Sequence, residues 1–152
     1  KGAGGRVSLT LSDPFCVERH RDAFREMIRE HVDLLFCNEH EMRAMYEDED
    51  LSVALRLAAD EVDTVACTVG ADGAYIWRDG VEVHAPADPV HIVDVTGAGD
   101  LFASGFFYGE LNGFDTFTTG RMGCVAAGEI ISHIGARPQA DLKTLFAKHD
   151  LI

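Results

Sequence analysis

The apolar positions of this chain follow two rhythms that alternate along its length. Short apolar runs predict strands at Arg6–Ser12, which reads as buried, at Asp33–Cys37 and at Thr64–Val69. Between them apolar residues recur at helical spacing. Phe24, Met27 and Ile28 mark a helix over Val17–Arg29, and shorter helical pieces follow at Glu39–Tyr46 and Leu51–Ala59. Asp13-Pro14 ends the first strand, because proline has no N–H to give to a ladder. Strands alternating with helices imply right-handed crossovers and a mainly parallel sheet with helices on its faces.

The rhythm then changes. Ala74–Trp77 and Val81–His84 flank Arg78-Asp79-Gly80, and Asp-Gly between two alternating runs predicts a hairpin. A glycine turn, Gly97-Ala98-Gly99, opens an apolar helix that runs to Leu111. A longer helix over Thr116–His133 is stopped by Gly135-Ala-Arg-Pro138, since glycine suits a helix cap and proline cannot continue. Asp141–Lys148 predicts a last amphipathic helix, and no repeat, low-complexity stretch or interdomain linker is seen.

Composition narrows the partners. The 152 residues suffice for one domain with a core. Thirteen basic against 26 acidic residues give a net charge of −13, which repels nucleic acid and anionic membranes, so neither is expected as a partner. Cys16, Cys37, Cys67 and Cys124 form no CxxC element and read as reduced thiols of a cytoplasmic protein. The seven histidines lack HxH or HExxH spacing, which argues against zinc. No signal peptide is recognised, and no apolar run is long enough to span a bilayer.

Candidate chemistry concentrates in Asp94-Val-Thr-Gly-Ala-Gly-Asp100. Backbone N–H groups at a helix start lack intrahelical partners, and the helix dipole adds positive charge there. Small residues let a phosphate approach that backbone closely. The dipole also favours the ionised form of Asp100, as a base for an alcohol proton requires. An anion cradle beside a carboxylate points to phosphoryl transfer onto a hydroxyl. The bland alternative is a structural glycine turn with an acid in the first helical turn. Elsewhere, Asn38 and Glu41 suit an N-cap and its N3 partner. Gly70 and Gly73, in Thr68-Val-Gly-Ala-Asp-Gly73, suit a strand-to-hairpin turn. Asp94 suits a turn-stabilising carboxylate, and Arg121 a solvated helix arginine, with facing a phosphate as its other reading. No GxxxxGK[ST] loop, Rossmann fingerprint or GxSxG elbow competes.

The run Asp94-x-Thr96-Gly97-Ala98-Gly99-Asp100 closely resembles the second signature of the ribokinase-like (PfkB-type) sugar and nucleoside kinases, and the order of elements resembles their carboxy-terminal half. The resemblance implies a three-layer ribokinase-like α/β fold with a mainly parallel sheet, here its nucleotide-binding half over residues 1–152. It implies ATP and Mg2+ as cofactors. Asp100 would be the base, and the backbone N–H groups of Ala98, Gly99 and Asp100 would stabilise the transferred group. Asn38-x-x-Glu41 resembles the family's NxxE motif, which helps hold magnesium through ordered water. Thr68, Gly70, Asp72 and Gly73 resemble the nucleotide-binding stretch, and Cys124 takes the place of the Asn or His that many relatives set beside the adenine. Asp94 and Thr96, with carbonyls near Gly135-Ala136, resemble a segment that can enclose a monovalent cation such as K+.

The acceptor implied is a small nucleoside or sugar. Gly128–Pro138 and Leu11–Phe15 look most like adenosine kinase-like bacterial members, with a ribokinase- or fructokinase-type sugar kinase as the alternative. Family members are longer, and their first half supplies the acceptor pocket and lid. The expectation is therefore a chain that is inactive alone and self-associates or binds a complementary amino-terminal half, with a non-catalytic nucleotide-binding fragment as the other reading.

Overall fold

The computed structural model describes residues 4–152, so the first three residues of the glycine-rich start lie outside it. The chain divides into two compact units, residues 4–69 with 75–82, and residues 70–74 with 83–152. Five strands, β1 (Ser8–Thr10), β2 (Leu34–Asn38), β3 (Thr64–Thr68), β4 (Ala74–Arg78) and β5 (Val81–Ala85), form one sheet in sequence order. β1 pairs parallel with β2, and β2 parallel with β3, in a register that sets Cys37 beside Cys67 and Asn38 beside Thr68.

In the first unit α1 (Pro14–His31), α2 (Glu39–Tyr46) and α3 (Leu51–Ala59) connect these strands. Helix α1 starts three residues before its apolar spacing begins, because Asp13 caps the N–H of Phe15 and proline occupies the first turn. Its backbone kinks at His20. Leu35, Cys37, Val65 and Cys67 from the strands pack with Val17, Ile28, Met42, Met45 and Leu55 from the helices. Near-continuous burial of β2 and β3 is what a parallel sheet with covered faces requires.

The strand expected over Arg6–Ser12 is corrected in length and burial: β1 is three residues long, with Ser8 and Thr10 exposed, and among the described residues it stands at the end of the strand order with its outer edge unpaired by another strand. Leu11 enters the core just past it. The hairpin follows its sequence signal. Asp79 and Gly80 both have positive φ (53° and 73°), the two-residue turn that matches strand twist.

The second unit is built on α4 (Ala98–Leu111), α5 (Thr116–Ile131) and α6 (Leu142–Lys148). α4 and α5 approach so closely that a Cβ on Gly105 would lie 2.4 Å from Met122 O, and one on Gly109 2.8 Å from Thr119 Oγ1. Phe146 of α6 is buried against Tyr108 with ring centroids 5.4 Å apart. α5 ends at Ile131, two residues before the expected limit, and Ser132 caps it. Among the described residues no helix is long and apolar enough to cross a membrane.

Candidate active site

In the second unit the glycine turn ends as the helix begins. Gly97 is the N-cap with φ 83° and no side-chain cap, and Asp100 lies exposed in the first turn of α4. The Ala98 N–H donates to Val95 O at 3.2 Å, and the Leu101 N–H makes the first helical bond, to Gly97 O, at 2.9 Å. The N–H groups of Gly99 and Asp100 have no hydrogen-bond partner among the described residues. Of the three donors expected at the cradle, Ala98 is thus already engaged, and two are free beside the Asp100 carboxylate. A Cβ at Gly99 would meet nothing within 4 Å, so this backbone faces open space that an anion fits.

The preceding turn is held from the far end of α5. Asp94 Oδ1 accepts the Thr96 N–H (2.9 Å) and hydroxyl (2.7 Å), and Oδ2 accepts the Gly135 N–H (3.1 Å). The Thr96 hydroxyl first, then the backbone N–H groups of Thr96 and Gly135, hold this carboxyl below its usual range. Val93 and Asp94 also donate backbone N–H groups to Ile131 O. Asp94 therefore acts as the turn-stabilising carboxylate, and the Gly135-Ala136 segment does lie beside it.

In the first unit Asn38 and Glu41 make a complete capping box at the carboxyl end of β2. Glu41 Oε2 accepts the Asn38 N–H (2.9 Å), Oε1 accepts Asn38 Nδ2 (2.8 Å), and Asn38 Oδ1 accepts the Glu41 N–H (2.9 Å). Glu41 is 5% exposed, and burial pushes its carboxyl above the ordinary value against the lowering effect of the Asn38 N–H. Each carboxylate oxygen keeps a lone pair, so the box fits a role in holding the water shell of a hard cation. Thr68, in register beside Asn38, donates its hydroxyl to Cys37 O at 3.4 Å.

Gly70, Asp72, Gly73 and Cys124 belong to the second unit. Gly70 and Gly73 have φ of 60° and 99°, and a Cβ at Gly73 would lie 2.1 Å from Ala85 O, so only glycine fits there. His84 Nε2 donates to Asp72 O at 2.7 Å. The buried Cys124 thiol donates to Ala85 O at 3.5 Å, and burial pushes it up to about 11. Gly73 and Cys124, far apart in sequence, thus meet at Ala85. Arg121 is not a solvated helix arginine: it is 12% exposed, donates to Pro86 O, and pairs with Asp88 at 2.8 Å. Asp88 also faces His149 Nδ1 at 3.1 Å. The Arg121–Asp88 clamp was missed, although Arg121 stands one helical turn from Cys124 and shares its face.

The family model described as pfkB family carbohydrate kinase matches residues 2–143. A protein named as a probable sugar kinase from Rhizobium etli superposes with a TM-score of 0.96 at 38% identity, over 99% of this chain and 46% of that one. The adenosine kinase of Sinorhizobium meliloti gives 0.94 at 38% identity, over 97% and 46%. A protein named ribokinase II from Escherichia coli, in complex with ATP and Mg2+, gives 0.86 at 21% identity, over 98% and 50%, and shows the shared fold. The chain spans about half the length of the curated relatives it matches.

Proposed function

Because this chain belongs to the pfkB family of carbohydrate kinases, we propose that it serves ATP- and Mg2+-dependent transfer of a phosphoryl group to a hydroxyl of a small nucleoside or sugar. The observation that carries the reading is the pair of free N–H groups at Gly99 and Asp100, open to solvent, with a carboxylate on the same helical turn. When bound, MgATP supplies the γ-phosphoryl group and the cation neutralises charge that develops on it.

The roles of this chain's residues follow. Asp100 accepts the hydroxyl proton as the oxygen attacks the γ-phosphorus in line, and the bond from that phosphorus to the bridging oxygen breaks to release ADP. The Gly99 and Asp100 N–H groups donate to the oxygens of the transferred group, where preorganised donors cost no reorientation. Glu41, oriented by Asn38, would hold the magnesium ion through its water shell. Thr68, Gly70, Asp72 and Gly73 flank the nucleotide, and the Cys124–Ala85 contact bounds the base. Asp94 and Thr96 shape the turn, and with the carbonyls near Gly135 they would enclose a monovalent cation.

Adenosine is the proposed acceptor, supported by the likeness of Gly128–Pro138 to adenosine kinase-like members; the equal identity to a probable sugar kinase keeps a sugar as the second reading. An acceptor panel with ADP release as readout tests it. Adenosine should outrun ribose, fructose and ribose 5-phosphate, and a clear preference for a free sugar moves the assignment. We further place the protein in the cytoplasm, where its free thiols are compatible with the redox state. The outer edge of β1 is proposed to pair with a second copy or with a complementary half, and the 152 residues to turn over little by themselves. Light scattering of the 152 residues tests this: self-association or capture of such a half is expected, and an active monomer refutes it.

A further inference from the structure

Glu129 lies on α5 two residues before its end, with its side chain only 8% exposed. Its Oε1 accepts the backbone N–H groups of Gln139 (2.7 Å) and Ala140 (2.8 Å) and faces His133 Nε2 at 3.3 Å. Its Oε2 is buried and has no hydrogen-bond partner among the described residues. A buried carboxylate with one idle oxygen costs stability, because its desolvation is compensated on one side only. Such a group is retained where it holds something in place.

What Glu129 holds is the segment that returns after α5. That segment leaves at Ile131, whose carbonyl takes the N–H groups of Val93 and Asp94. It is tied down again at Gln139 and Ala140 by Glu129. Between these points the Gly135 N–H bonds Asp94 Oδ2, and Ala136 sits where a Cβ on Gly97 would be 3.2 Å away. Asp94 in turn fixes Thr96. The contacts that shape the approach to Gly99 and Asp100 therefore come from a strap whose far end is fastened to Glu129.

We propose that Glu129 is a positioning residue for the Gly97–Asp100 turn: by clamping Gln139 and Ala140 it keeps Gly135 and Ala136 on Asp94 and Gly97, and so fixes the N–H pair that receives the transferred phosphoryl group. The inference rests on reading that turn as the γ-phosphate site. Glu129 touches no reacting atom, and its effect is transmitted through backbone contacts.

Three variants test it with two independent readouts. Glu129→Ala removes the clamp, Glu129→Asp keeps the charge but withdraws it by one carbon, and Glu129→Gln keeps an oxygen acceptor. In amide hydrogen exchange without nucleotide, the Ala and Asp variants should expose Gly135 and Thr96 roughly tenfold faster, together with Gln139 and Ala140, while Val125 within α5 is unchanged. In binding titrations with Mg2+, the affinity for a non-hydrolysable ATP analogue relative to ADP should fall about tenfold in these variants and recover in Gln. Should the Ala variant fail to fold, the Asp variant carries both readouts. Faster exchange confined to Gln139 and Ala140 overturns the proposal, as does an equal loss of both nucleotides. A wild-type protein that binds neither nucleotide refutes the γ-phosphate reading alone, and the exchange pattern then decides the clamp by itself.

Discussion

Gly97 packs so closely on Ala136 that a Cβ added to it would lie 3.2 Å from the Ala136 Cβ, and its φ of 83° is one that other residues adopt at a cost. Gly99, two residues on, has open space where its side chain would be. The two glycines therefore serve different ends, and substitution separates them. Gly97→Ala should destabilise the fold by about 1–2 kcal/mol through left-handed strain alone. Gly99→Ala should leave thermal stability unchanged or raise it by up to about 1 kcal/mol, because alanine favours a helix. It should nevertheless weaken binding of an ATP analogue, since a methyl group then occupies the approach to the free N–H pair. Thermal melts and binding titrations on both variants check this. Unimpaired nucleotide binding by Gly99→Ala contradicts the cradle.

Glu41 is the second separable residue. Glu41→Gln keeps a capping-box partner, so stability at neutral pH should change by no more than about 1 kcal/mol. Loss of the charge should raise the Mg2+ concentration needed for half-maximal activity. The pH dependence has a definite sign. Burial raises this carboxyl in the folded state above its unfolded value, so its contribution to stability is present at acid pH and is lost as pH rises through the raised value. The stability of wild type relative to Glu41→Gln should therefore improve as pH falls from neutral toward the ordinary glutamate range, while Mg2+ affinity worsens. Denaturant melts across that range, beside Mg2+ titrations, provide the comparison.

What the sequence made legible was local. The Asn38–Glu41 box, the Asp79-Gly80 hairpin turn and the Gly97 cap each depend on residues within a few positions of one another, and each appears where the spacing predicted. Contacts set by tertiary packing were not legible. Glu129 with Gln139 and Ala140, and Arg121 with Asp88, join segments whose approach no periodicity encodes, and the approach of Gly135 to Asp94 was indicated by family resemblance alone. The burial expected over Arg6–Ser12 was overdrawn: Leu9 is half-buried and Leu11 enters the core, while Ser8 and Thr10 stay exposed. At the cradle the sequence indicated three donors, and the bond from Ala98 to Val95 O reduces them to two.

The thiols supply a simple check on packing. Cys16 is exposed, whereas Cys37, Cys67 and Cys124 are buried. Burial pushes the Cys37 thiol well up and the Cys124 thiol up to about 11, so little thiolate forms on either at mildly alkaline pH. Native protein treated with iodoacetamide should gain one label, on Cys16, and the remaining three only after unfolding. Intact mass and peptide mapping read this out, and native labelling of Cys124 contradicts its place against Ala85.

Asp100 is proposed as the base of a phosphoryl transfer in which the N–H groups of Gly99 and Asp100 meet the charge on the transferred group. The most direct measurement is transfer of the γ-phosphoryl group from radiolabelled ATP to adenosine, catalysed by the gene product that contains this chain, wild type beside Asp100→Asn. Asparagine preserves the shape of the site but cannot take the hydroxyl proton. Transfer should fall by about 10²–10⁴, the usual worth of a general base, while Mg2+-dependent binding of ATP stays within a few-fold of wild type. Transfer by Asp100→Asn within a few-fold of wild type would remove Asp100 from the reaction.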